Sequence, residues 1–86
     1  MVTITYNANQ IRASGHANYA EHGKDIVCAS ISILLYTLAS TGTMETIGDQ
    51  TIATSEDKNA VRLILKGLKL IAEEYPQNVE VISCHI

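Results

Sequence analysis

DIVCASISILLYTLAS, residues 25–40, is the stretch on which the reading of the fold turns. Val27, Ile31, Leu34 and Leu38 recur at helical spacing, and Asp25 ahead of them is a good N-cap. With Ile26, Ile33 and Leu35 added, the segment is apolar over most of its circumference, and past Asp25 it holds no charged residue. Such a helix is either central to its fold or pressed against a partner. Gly42 is a natural stop.

Upstream, Val2, Ile4 and Tyr6 alternate with Thr3 and Thr5, the period of a half-buried strand. Asn7-Ala8-Asn9 supplies turn chemistry, and a second strand is predicted over Gln10 to Ser14. From Gly15 to Lys24 periodicity is lost among glycines, histidines and small residues, which predicts a loop. Loops of this length in a compact domain tend to be functional.

Downstream, Met44 to Ile47 and Thr51 to Thr54 read as short strands around a Gly48-Asp49 hairpin turn. Ser55 then opens a second helix. Its stripe of Val61, Ile64, Leu65, Leu68, Ile71 and Ala72 faces a core, while Arg62, Lys66, Lys69 and Glu73 face solvent. Pro76 ends that helix, and a last strand spans Asn78 to Cys84. The order is ββαββαβ, the class α+β, with a mostly antiparallel sheet packed with two helices in a single domain over residues 1–86.

Hydrophobic residues make up 47% of the 86, so the chain buries a core, yet four Tyr with no Phe or Trp leave that core small. Self-association as a homodimer is therefore expected. A net charge of −3 without a basic stripe argues against nucleic-acid binding. No stretch has the length and apolarity of a membrane span and no leader pattern opens the chain, so a cytoplasmic protein is expected. With only Cys28 and Cys84 present, both are expected to be reduced.

If Asp25 caps the helix, Cys28 is its third residue, beside unpaired backbone N–H groups that favour a thiolate and could hold an oxyanion. A neutral imidazole in reach can take the thiol proton, and His16 and His22 are the local candidates. Packing is the competing reading of Cys28, because cysteine is among the most buried residue types. Capping competes with an imidazole-orienting role at Asp25. Gly15 and Gly23 either relieve backbone strain or let the loop close over a ligand.

The run GHANYAEHGKDIVCASIS, from Gly15 to Ser32, resembles the signature of the ribosomal-processing cysteine protease Prp family. Gly-His-Ala at one end, and Gly-Lys-Asp-Ile-Val-Cys-Ala with a Ser four residues past the Cys at the other, carry that resemblance. It implies a homodimeric α+β peptidase without a cofactor. Cellular members remove a short N-terminal extension from a large-subunit ribosomal protein, cutting after an aromatic residue, and phage-associated members process virion proteins. Position by position, the resemblance puts the base on His16 and the nucleophile on Cys28, with His22 a bystander. Asp25 falls on the motif's acidic position. Gly15, Ala17, Gly23 and Ser32 become candidates for the loop and the substrate cleft, Ser32 lying one helical turn past Cys28.

Two rival readings stand beside this one. A zinc site would draw on His16, His22 and Cys28 with Cys84 or His85, although no compact Cys-x-x-Cys or His-x-x-x-His clip is present. A non-enzymatic interaction domain would use the apolar helix as its partner surface.

Overall fold

The computed structural model describes residues 1–15 and 21–83, with the side chains of residues 21–25 left aside. Strands β1 (Val2–Tyr6) and β2 (Gln10–Gly15) precede helix α1 (Glu21–Ala39). Strands β3 (Gly42–Ile47) and β4 (Gln50–Ser55), helix α2 (Lys58–Glu74) and strand β5 (Val79–Ser83) complete the ββαββαβ order. The sheet runs β3-β4-β2-β1-β5. Three neighbour pairs are antiparallel, and only β1 with β5 is parallel.

Alternation along the strands decides which face is covered. Val2 and Ile4 of β1, Ile11 and Ala13 of β2, Ala53 of β4 and Val79 of β5 join one core with side chains of both helices. Helix α1 lies over β3 and β4, and α2 lies over β5 with contacts to β2 and β4. Thr3, Thr5 and Arg12 alternate with those core positions and so belong to the other face. Ile52 also falls there, flanked in register by Arg12 and Glu45.

Helix α1 buries Val27, Ile31, Leu35 and Leu38, at about 2 kcal/mol of transfer free energy for each aliphatic side chain. Leu35 takes the place expected for Leu34, which is half-buried and turned instead toward α2. A Cβ on Gly67 of α2 would meet the Leu34 methyls at 3.0 and 3.3 Å, so this glycine is what lets the two helices pack closely.

Both helix starts differ from the sequence reading. Helix α1 begins at Glu21, so Asp25 is its fifth residue and not its cap, and His22, Gly23 and Lys24 are helical. Glu21-His22-Gly23-Lys24 contains no apolar residue, so the first turn lacks the periodicity that marks the rest of the helix. Helix α2 begins at Lys58, and its cap is Asp57, whose carboxylate accepts the N–H groups of Asn59 and Ala60. Ser55 ends β4 instead. Its hydroxyl is fully buried and accepts the Asp57 N–H at 3.0 Å. Thr41 Oγ1 donates to the Leu38 carbonyl at 2.8 Å, leaving Ser55 to donate to Thr41 Oγ1 at 2.7 Å. The pair ties the end of α1 to the entrance of α2. Tyr75 closes α2 with its N–H on the Ile71 carbonyl, ahead of Pro76. From α2, the Lys69 ammonium sits 5.5 Å from the Tyr6 ring centre, a cation–π contact with β1.

Gly42 and Gly48 bracket β3 for different reasons. A Cβ on Gly42 would fall on the Thr54 carbonyl oxygen and lie 2.9 Å from Ser55 Cα, both backbone atoms. Gly48 has φ of 60° in the hairpin turn with open space around it. Gly42→Ala is therefore expected to cost about 2–4 kcal/mol and Gly48→Ala about 1 kcal/mol. Urea unfolding of both variants measures the difference, and equal losses would refute the close approach at Gly42.

Candidate active site

The end of the sheet marked by Val2, Gly15 and Gln50 forms one side of a cleft lined by α1 from Cys28 to Tyr36. Val2 pairs with Gly15, Ser14 with Gln50, and Gln50 with Ile47, so four strand ends meet there. The cleft has a volume of about 150 Å³. Val2, Ala13, Ile31 and Leu35 make an apolar floor, and Met44, Thr46, Asp49 and Thr51 come from β3, its turn and β4. Cys28, Ser32 and Tyr36 line it from α1.

These three α1 residues stand four apart, one per helical turn, and so form a row on one side of the helix. Cys28 follows the fully buried Val27 and is itself a half-buried free cysteine. Ser32 and Tyr36 are exposed. A thiol at the edge of burial is held firmly by its helix and is still open to a ligand in the cleft.

The helix start at Glu21 changes the expected chemistry of the thiol. Cys28 is the eighth residue of α1, about 10 Å along the axis from the helix start at 1.5 Å per residue. The unpaired N–H groups at that start are not beside Cys28, which corrects the expectation of a dipole-assisted thiolate and an oxyanion site at the helix terminus.

Gly15, a candidate for the loop, ends β2 in the left-handed region at φ of 88° and lines the same cleft as Cys28 and Ser32. A Cβ there would meet the Met1 carbonyl oxygen at 2.5 Å. The next residue in the chain, His16, lies outside the described residues, as does Ala17. The helix contains Asp25, His22 and Gly23, so Gly23 does not bound a loop, and the side chains of Asp25 and His22 lie outside the description. Cys84 and His85 also fall outside it. Among the described residues no three His, Cys, Asp or Glu side chains gather as metal ligands; of the residues named for a zinc site only Cys28 is described. Tyr36, Met44, Thr46, Asp49 and Thr51 were not foreseen as cleft residues. The four-residue step from Cys28 through Ser32 to Tyr36 was the signal for Tyr36, whereas the strand residues reach the cleft through sheet register.

The family model for cysteine protease Prp matches residues 1–80. The chain belongs to the Prp cysteine protease family. It is a cysteine endopeptidase, a hydrolase acting on peptide bonds. The ribosomal processing cysteine protease Prp of Mycoplasma pneumoniae is 29% identical over 94 residues, covering 90% of this chain and 89% of the relative. The crystal structure of an essential ribosomal processing protease Prp from S. aureus, with a covalently linked product peptide, is similar at a TM-score of 0.72 and 27% identity. The likeness covers 96% of this chain and 97% of that one. SMU.848 from Streptococcus mutans shares the fold at a TM-score of 0.70 and 20% identity, over 95% of this chain and 90% of that one. Of the two rival readings, the non-enzymatic domain is therefore displaced.

Gly15 offers a test of the cleft. Gly15→Ala is expected to cost about 1–2 kcal/mol through its left-handed φ and the Met1 carbonyl. It is also expected to lower kcat/KM by at least about tenfold, because a shift of about 1 Å at the end of β2 displaces the cleft wall. Thermal melts and peptide hydrolysis check both. Full activity in the variant would remove Gly15 from the site.

Proposed function

We propose that this enzyme removes a short N-terminal extension from a large-subunit ribosomal protein, with Cys28 as nucleophile and His16 as general base. The observation that carries this reading is the shared cleft. Cys28 lines it from α1, and Gly15, the residue before His16, lines it from the end of β2. The names of the Mycoplasma and S. aureus relatives, ribosomal processing proteases, support the substrate class. A covalently linked product peptide in the S. aureus relative supports a covalent route.

His16 takes the thiol proton as the sulfur attacks the scissile carbonyl carbon, giving a tetrahedral oxyanion. Collapse of that intermediate breaks the C–N bond, and the imidazolium returns its proton to the departing amine. Water, deprotonated by the same imidazole, then hydrolyses the thioester and frees the sulfur. No metal or organic cofactor enters these steps. Asp25 orients the pair, since a cap role is closed to the fifth residue of a helix. Among the described residues no helix is long and apolar enough to cross a membrane, which fits action in the cytoplasm.

Cys28→Ala is expected to abolish cleavage, and His16→Ala to lower kcat by at least about a hundredfold, with both variants folded. His22→Ala is expected to stay within about threefold of wild type, because a bystander contributes no proton-transfer step. Incubating wild type and Cys28→Ala with proteins of the source organism, then sequencing new N-termini, identifies the substrate. Equal loss at His16 and His22, together with zinc retained through dialysis, would favour a metal site. Cuts confined to virion proteins would assign the substrate to the phage class.

The proposed assembly is a homodimer through the outer side of the helix pair. Ile33 is 63% exposed with Ile26 two turns before it, and Leu63 and Leu70 flank Gly67 on α2 at 69% and 62%. Sedimentation equilibrium is expected to give two copies for wild type and one for Ile33→Glu/Leu63→Glu. A monomeric wild type at micromolar concentration would exclude the dimer.

A further inference from the structure

The row Cys28, Ser32, Tyr36 and the strand β3 face each other across the cleft, and their placement bears on how a peptide is held. Leu34 packs toward Gly67 of α2, so the row two positions round the helix looks away from α2. On that side α1 lies over β3 and β4, and Met44 and Thr46 of β3 line the cleft opposite the row.

Strand β3 is the first strand of the sheet order and pairs only with β4, along Gly42–Ile47. Alternate N–H and C=O groups of an antiparallel edge strand point away from its neighbour, so half of those on β3 face outward, with no strand of the described residues beside them. Nothing on β3 blocks pairing. Its sequence, GTMETI, contains no proline and one charge, and only Met44 is even half-buried. A peptide entering the cleft leaves water and needs partners for its own N–H and C=O groups. The outward edge of β3 supplies them at the spacing an extended chain requires.

We propose that the substrate binds in extended form as an additional antiparallel or parallel strand on the free edge of β3, which brings its scissile carbonyl to Cys28. This rests on Cys28 being the nucleophile. Alternate substrate side chains then point under α1, between Tyr36 and Met44, while the intervening ones face solvent. Backbone pairing provides binding that is indifferent to side chains, and the covered positions provide selectivity. The far edge, β5, contributes no residue to the cleft and is the internal control.

The experiment uses a peptide spanning whichever cut the N-terminal sequencing of cleaved proteins reveals, so it does not depend on that protein being ribosomal. Hydrogen exchange of the full-length Cys28→Ala enzyme is followed with and without this peptide. Amides in alternation along Gly42–Ile47 are expected to slow at least about tenfold on binding, with Val79–Ser83 unchanged. In parallel, each peptide amide is N-methylated in turn and hydrolysis by wild type is measured. Loss of at least about tenfold in kcat/KM at every second residue, mainly through KM, is expected. Unchanged β3 amides with a flat methylation scan would overturn strand addition while leaving the protease reading intact. β3 amides already protected without peptide in a concentration-dependent way would assign the edge to a second copy and also overturn it. Absence of any cut by wild type overturns both.

Discussion

Helix α1 is bound to the sheet through one buried stripe, Val27, Ile31, Leu35 and Leu38, and the position of Cys28 follows from that attachment. Cys28 comes directly after the deepest residue at this end of the stripe. Its Cα is therefore fixed by packing, while the hundred-degree step along the helix carries its side chain to the margin of the core. Ser32 and Tyr36 repeat the step. The wall of the cleft is thus a by-product of how the core is filled, and a change that rotated α1 would move all three residues together.

The rest of the scaffold keeps that rotation from occurring. At the far end of α1, the Thr41–Ser55 hydroxyl pair joins the helix terminus to β4 and to the cap of α2. Along its flank, Leu34 rests on Gly67, where an added Cβ would press on the Leu34 methyls at 3.0 and 3.3 Å. Gly42 lets the chain turn into β3 against the backbone of β4. Fixing α1 at three places matters because the cleft's β3 wall is, among the described strands, an edge that pairs only with β4.

Much of this was legible from sequence, for reasons that differ by element. The alternation of Val2, Ile4 and Tyr6 and the stripe from Val61 to Ala72 reflect direct contact with one core, so periodicity revealed both. Helix starts were less readable. Asp25 carries a strong cap signal, yet it marks where the apolar pattern begins and not where the helix begins, since Glu21-His22-Gly23-Lys24 holds no apolar residue. Ser55 and Asp57 are both cap-forming residue types two positions apart, and only the buried hydroxyl network selects Asp57. Among cleft residues, Cys28 and Ser32 were found through the motif. Thr46, Asp49 and Thr51 were not, because their nearness to Cys28 depends on the pairing of β2, β4 and β3, which no local pattern encodes.

The early start of α1 also constrains the chemistry. With the helix terminus about 10 Å along the axis from Cys28, the macrodipole at its first turn is too distant to account for activation of the sulfur, as that effect falls off within a turn. The proposed mechanism assigns activation instead to a side chain, that of His16. Gly15 is where β2 delivers the chain, and its left-handed φ sends the backbone off in a direction that other residues adopt at a cost. The residue that follows is a histidine. In the proposed mechanism the thiol and its base therefore come from separate elements, Cys28 from α1 and His16 from the chain that follows β2.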